Sequence, residues 1–149
     1  MLEHTTILKT AVLNILQKAG FLQINYNELA CLFQFKFRMS CKKKKKVVCY
    51  GMVIIYPKEI CVRLQLSLWR KGEDRTIYEK AIPSWNTQLE KTMWHAPKYI
   101  ILLDSLFLEQ TVRYCPEWET IFQHDLLQMI KILQKHAETN DTTGPAICL

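Results

Sequence analysis

Residues 33 to 40 read Phe-Gln-Phe-Lys-Phe-Arg-Met-Ser. Phe33, Phe35, Phe37 and Met39 point one way; Gln34, Lys36, Arg38 and Ser40 point the other. Strict alternation is the period of a strand with one buried and one wet face. A helix turns through 3.6 residues and would scatter the phenylalanines around its axis. The chain must therefore build a sheet whose apolar side is covered by something else.

The flanking sequence extends this sheet. After five consecutive lysines, "VVCYGMVIIY" is apolar on both faces and reads as a central strand ended by Pro57. Ile60, Val62, Leu64, Leu66 and Leu68 then alternate with Cys61, Arg63, Gln65, Ser67 and Trp69 as a third strand. "RKGED" supplies a turn at Gly72, and "RTIYEKAI" is expected to return as a fourth strand before Pro83. The short connections predict an antiparallel meander of four strands.

Helical patterns lie on either side. Leu8, Val12, Ile15, Leu16 and Ala19 share one face at a 3.6 period, with Thr5 or Thr6 as cap and Gly20 past the end. "SWNTQLEKTMWH" reads as a short helix capped by Ser84. "PKYIILLDSLFLEQ" is too uniformly apolar for periodicity to choose between helix and extended core, so 98–108 stays open. Pro116 suits a first helical position, and Trp118, Ile121, Phe122, Leu126, Met129, Ile130 and Leu133 form the apolar face of a last helix. The expected architecture is α+β: an N-terminal helix, a four-stranded antiparallel meander, then C-terminal helices packed on one sheet face. Residues 1–137 form one domain and 138–149 a loose tail.

Charge is unevenly placed. The net charge is +6, yet the segment from Leu29 to Lys58 carries eight basic residues and no acidic one. The rest of the chain holds 12 basic and 14 acidic residues, so the whole excess belongs to that segment. Lys36, Arg38, Lys42, Lys43, Lys44, Lys45 and Lys46 are therefore the candidate contacts for nucleic acid or an acidic partner. The lysine run connects the first two strands, and it lacks the Gly, Asn, Asp or Pro of a tight hairpin. It reads as a solvated loop that keeps strands from aggregating, as a nuclear import signal, or as a phosphate contact. For base stacking the polar face offers mainly Trp69, with Tyr78 as a second aromatic. The phenylalanines of the first strand lie on the opposite face and belong to the core, so the expected nucleic-acid contact is sequence-blind and salt-sensitive.

Catalytic signatures are missing from the sequence. The six cysteines show no CxxC spacing, and a Cys115–His124 pair falls short of a metal set. None of the four histidines is matched to a nucleophile motif, and four glycines make no phosphate-binding loop. Asp104, His124 and Asp125 read as surface or capped groups. No cofactor and no metal are expected. The N-terminus lacks the pattern of a signal peptide, and no apolar run reaches the ~20 residues of a membrane span. The expectation is an intracellular, reducing setting, nuclear or cytoplasmic, with free thiols.

Two strings carry a resemblance. "HAP" at His95 to Pro97 is similar to the His-Pro-Asn signature of the ubiquitin-conjugating enzymes. "CPEWETIFQHDLLQMIKIL" is similar to the tryptophan and helix that follow their active site. With the order helix, meander, apolar segment, helices, the chain resembles that fold and its RWD-type relatives. Lys98 stands where the family's asparagine is expected, and Leu103, Asp104 and Ser105 where its nucleophilic cysteine should come. The resemblance implies a catalytically inactive relative used for protein binding, since no thioester forms without a thiol.

The sequence thus points to a non-enzymatic protein-interaction subunit or adaptor of a larger complex. Its expected interface, with a protein partner or a second copy, is Trp118, Phe122, Met129 and Leu133, one stripe of the last helix. The alternative is a nucleic-acid-associated protein that binds phosphate through residues 36–46.

Overall fold

The computed structural model of the chain describes residues 2–40, 46–68, 75–103 and 105–140. The order is α1 (Leu2–Lys18), β1 (Leu22–Asn27), β2 (Leu32–Ser40), β3 (Lys46–Ile55), β4 (Glu59–Leu68), α2 (Thr76–Thr92), β5 (Lys98–Leu102), β6 (Ser105–Arg113) and α3 (Trp118–Asn140). The strands make one six-stranded sheet in the order β1-β2-β3-β4-β6-β5, antiparallel throughout. No helix among the described residues is long and apolar enough to cross a membrane.

The α+β class holds, and the sheet is larger than expected: β1 to β4 form a four-stranded meander, and β6 and then β5 are added beyond β4. β1 was not foreseen, although Leu22, Ile24 and Tyr26 alternate with Gln23, Asn25 and Asn27. The "RTIYEKAI" strand is a correction: those residues open α2, which runs through Pro83 to Thr92. Tyr78, Ile82, Trp85 and Leu89 recur at four, three and four residues and pack on the core, which only a helix achieves. Ser84 is accordingly inside a helix and caps nothing. The open segment 98–108 resolves into the β5–β6 hairpin, closed where Leu102 pairs Ser105. The turn at Gly72, the lysines 42–45, Trp69, Asp104 and residues 141–149 of the expected tail 138–149 lie outside the described residues, while 138–140 continue α3.

One sheet face carries α1, α2 and α3. Phe33, Phe35, Phe37 and Met39 are buried as the alternation requires, together with Val53, Val62, Leu64 and Leu108 from the neighbouring strands. Leu8, Val12 and Leu16 of α1, Tyr78 of α2, and Phe122, Leu126, Met129 and Leu133 of α3 complete the same cluster. α1 ends where Gly20 adopts φ +81°. There the Gly20 N–H bonds the Gln17 carbonyl and the Phe21 N–H bonds that of Leu16, the usual left-handed closure. This turn delivers Phe21 into a stack on Phe35, ring centroids 4.5 Å apart.

Gly51 makes that stack possible. It pairs with Phe35 across the β2–β3 ladder. A Cβ there would meet two Phe35 ring carbons at 2.5 Å and Leu64 Cδ2 at 2.9 Å. Phe35 cannot retreat because Phe21 lies on it. Gly51→Ala is therefore expected to cost about 1–3 kcal/mol through overpacking, measured by urea denaturation. A variant as stable as its parent would show that the stack shifts freely.

The β5 edge is closed by a side chain. Asn86 of α2 accepts from the Tyr99 N–H at 2.7 Å and donates to the Tyr99 carbonyl at 3.2 Å. Its carboxamide stands in for a neighbouring strand, so these edge groups are not left to another chain.

Candidate functional site

The opposite sheet face carries no helix among the described residues. Its composition follows from register. The alternation of β2 turns Gln34, Lys36 and Arg38 away from the core. Pairing with β3 sets Met52, Tyr50 and Val48 beside them in that order. Met52 pairs Arg63 of β4, which pairs Glu109 of β6, which pairs Lys98 of β5. Arg63 Nε donates to Glu109 Oε2 at 2.7 Å, so the carboxylate at the middle of this face is already neutralised.

Next to that row is a cavity of about 350 Å³. Gln23 and Asn25 of β1 and Gln34 of β2 form one wall; Tyr50, Gln65 and Phe107 form the other. Lys36 reaches over it, with Nζ 5.4 Å from the Tyr50 ring centroid. Tyr50 is 50% exposed although it belongs to a central strand. Among the described residues no carboxylate lines the cavity. Gln65 holds its place by donating to Ser105 Oγ at 3.1 Å.

Sequence reasoning located part of this site. Lys36 and Arg38 are on the open face as expected. Lys46 begins β3 opposite Ser40, and Lys42, Lys43, Lys44 and Lys45 lie outside the described residues. The aromatics differ from expectation in part. Tyr78 is buried in the helical layer, Trp69 lies outside the described residues, and Tyr50 and Phe107 are rings of the open face among the described residues.

The helical layer places the other candidates. Phe122, Met129 and Leu133 are fully buried against the sheet and Trp118 is half-buried. Three of the four residues of the expected interface stripe are therefore core, out of a partner's reach in the folded chain, and Trp118 alone of them keeps part of its surface. The apolar residues that α3 turns outward are Ile121 and Leu127, the latter 54% exposed. Between α2 and α3 runs a groove of about 500 Å³ lined by Trp85, Leu89, Ile132 and Lys131. At its base the Tyr99 hydroxyl lies 3.3 Å from His136 Nδ1.

The turn before β5 is tied down unusually firmly. His95 adopts φ +54°, uncommon for a residue with a side chain. Its Nε2 donates to the Thr111 carbonyl at 2.9 Å, and Gln110 Nε2 donates to the His95 carbonyl at 2.6 Å. Asp125 Oδ2 of α3 lies 3.9 Å from His95 Nε2, and Asp125 Oδ1 lies 3.6 Å from His124 Nδ1. Burial pushes the Asp125 carboxyl above its ordinary range, with His95 and His124 pulling it back. On this turn, next to His95, Trp94 stands 97% exposed.

The buried thiols are poor nucleophiles. Burial pushes Cys49 up to about 11 and Cys61 up to about 12, the latter aided by Glu109; thiolate is the reactive form. Cys31, Cys49, Cys61 and Cys115 are free. Compared with known proteins, the chain matches no family model and no curated sequence.

Proposed function

We propose that the chain is a non-enzymatic protein-interaction subunit of a larger assembly, in an intracellular and reducing setting, nuclear or cytoplasmic. One observation carries the reading: an almost wholly exposed tryptophan on a turn fixed by side-chain bonds. Trp94 sits beside His95, whose bonds to Thr111 and Gln110 hold the turn to β6. Asp125 is close to His95 and lies one turn along α3 from the exposed Ile121, so these side chains share a neighbourhood. Trp anchors of this kind dominate the energetics of protein interfaces, and holding one rigid beforehand lowers the entropic cost of binding. The implied relation to inactive relatives of the ubiquitin-conjugating enzymes points the same way.

Trp94→Ser is expected to leave the melting temperature unchanged and to abolish capture of a partner. Affinity purification of the tagged chain from its native cells, after nuclease treatment, measures this. Recovery of the same proteins with the variant as with the parent would overturn the reading.

A second reading is favoured by the helix-free sheet face. Lys36, Arg38 and the half-exposed Tyr50 adjoin there, in the segment that carries all of the chain's excess positive charge. This face supports binding of nucleic acid through phosphate contacts.

A further inference from the structure

We propose that the cavity on the helix-free face holds one unpaired base of a single-stranded nucleic acid, stacked on Tyr50. The proposal rests on the second reading above and names the ligand of that site.

Four features of the cavity converge on this chemistry. The first is a platform. Tyr50 lies in a central strand with half its surface exposed, and Phe107 lines the same space. An aromatic on a sheet face stacks any base by its π surface, which needs a base that is not already paired. The second is the set of polar groups around it. Gln23, Asn25, Gln34 and Gln65 are all carboxamides, each able to donate and accept, as a base edge requires. A site for a simple anion would not need four neutral groups of that kind.

The third is charge. Lys36 overlooks the cavity and Arg38 follows it two residues along β2, about 7 Å further on the same face. Among the described residues no carboxylate lines the cavity, and Glu109 beyond it is engaged by Arg63. The Lys36 ammonium now covers the Tyr50 ring. A base entering the stack displaces it toward solvent, where it meets the phosphate attached to that base. The fourth is size. About 350 Å³ is at the small end of ligand sites, room for one base and not for a duplex edge. Arg38 beyond the cavity favours a strand with a neighbouring phosphate over a free nucleotide.

A basic face of this composition does not suit a second copy of the chain, because like charges would meet. An acidic protein would satisfy Lys36 and Arg38 but leave the carboxamides and the Tyr50 stack without a role.

The test is fluorescence anisotropy of the full chain with labelled single strands of roughly 12 nucleotides, as RNA and as DNA. The same sequence annealed as duplex, AMP and polyglutamate serve as competitors. Single strands are expected to bind more tightly than duplex. Tyr50→Ala should weaken them about 5- to 150-fold with an unchanged melting temperature, since Tyr50 is half-exposed. Lys36→Ala and Arg38→Ala should each reduce the slope of affinity against salt.

Equal binding of single strand and duplex, indifferent to Tyr50→Ala but lowered by Lys36→Ala, would overturn the base pocket and leave the phosphate reading standing. AMP competing as well as the strand would overturn the choice of a polymer. Polyglutamate competing equally, with Tyr50→Ala silent, would assign the face to an acidic protein. No binding of any probe at low salt would remove the pocket and the second reading together.

Discussion

Phe122→Ala is expected to lower the stability of the chain by about 3–5 kcal/mol, while Leu127→Ala stays within about 0.5 kcal/mol of the parent. The two residues are five apart on one helix and both are large and apolar, so composition does not separate them. Environment does. Phe122 has no exposed surface and stacks beside Trp118, ring centroids 6.4 Å apart. Leu126, Met129 and Leu133 continue its stripe into the core. Removing the ring forfeits its burial and leaves a void that neighbours fixed on the sheet fill only in part. Leu127 keeps more than half its surface in water already and loses little on truncation. Urea denaturation of both variants, extrapolated linearly to water, makes the comparison. Similar costs for the two would mean that the two sides of α3 are not core and surface as described. The result matters for function, because a binding defect in Phe122→Ala would report unfolding. Variants that probe an interface belong at Trp94, Ile121 and Leu127.

How much of this was legible depends on how many faces each segment buries. β2 alternates strictly because one of its faces meets helices and the other does not, so its residues announced both strand and orientation. α1 and α3 each turn one stripe inward, and their 3.6 period was equally plain. α2 also has that period in Tyr78, Ile82, Trp85 and Leu89. Pro83 within it reads as a strand end, and Ser84 after it as a cap, so the sequence pattern suggests a strand and then a short helix where one helix runs. The helix survives the proline, and the Thr87 hydroxyl bonds the Pro83 carbonyl at 2.8 Å. β5 and the start of β6 are apolar on both sides, Leu106 and Leu108 facing helices and Phe107 and Ile100 facing the open side, so no period shows until Glu109, Thr111 and Arg113 alternate with Leu108, Gln110 and Val112.

The same reasons hid the cavity. Tyr50 lies in a strand whose residues are apolar on both faces, and nothing local says which of them is left uncovered. Phe107 belongs to a segment too uniformly apolar for a period to assign, and Gln23 and Asn25 to a strand of only six residues. Only register brings these together with Gln34 and Lys36. The basic half of the site was readable because charge excess is a sum along the chain. The aromatic half depends on pairing between strands far apart in sequence.

Between pH 6.5 and about 4 the folded chain is expected to lose roughly 3 kcal/mol of stability through His136 alone. The imidazole is 8% exposed, with Trp85 edge-on at 4.7 Å and Tyr99 alongside. Burial pushes its pKa from 6.5 down to about 4, because an imidazolium there would lose its hydration. The unfolded chain takes up a proton on this residue as pH falls through 6.5, and the folded chain does not until about 4. Proton uptake by the unfolded form favours unfolding, so the stability is complete above 6.5, declines through this window and levels off below it. Asp125 acts with the opposite sign: its carboxyl is raised in the fold, so the native state takes up that proton first on acidification and recovers a part of the loss. Comparing the chain with His136→Gln separates the two. Denaturation free energies at pH 7 and pH 4.5 should differ by far less in the variant than in the parent, whatever the variant costs at neutral pH. An equal pH dependence in both would show that His136 takes up its proton within the fold as readily as in the open chain.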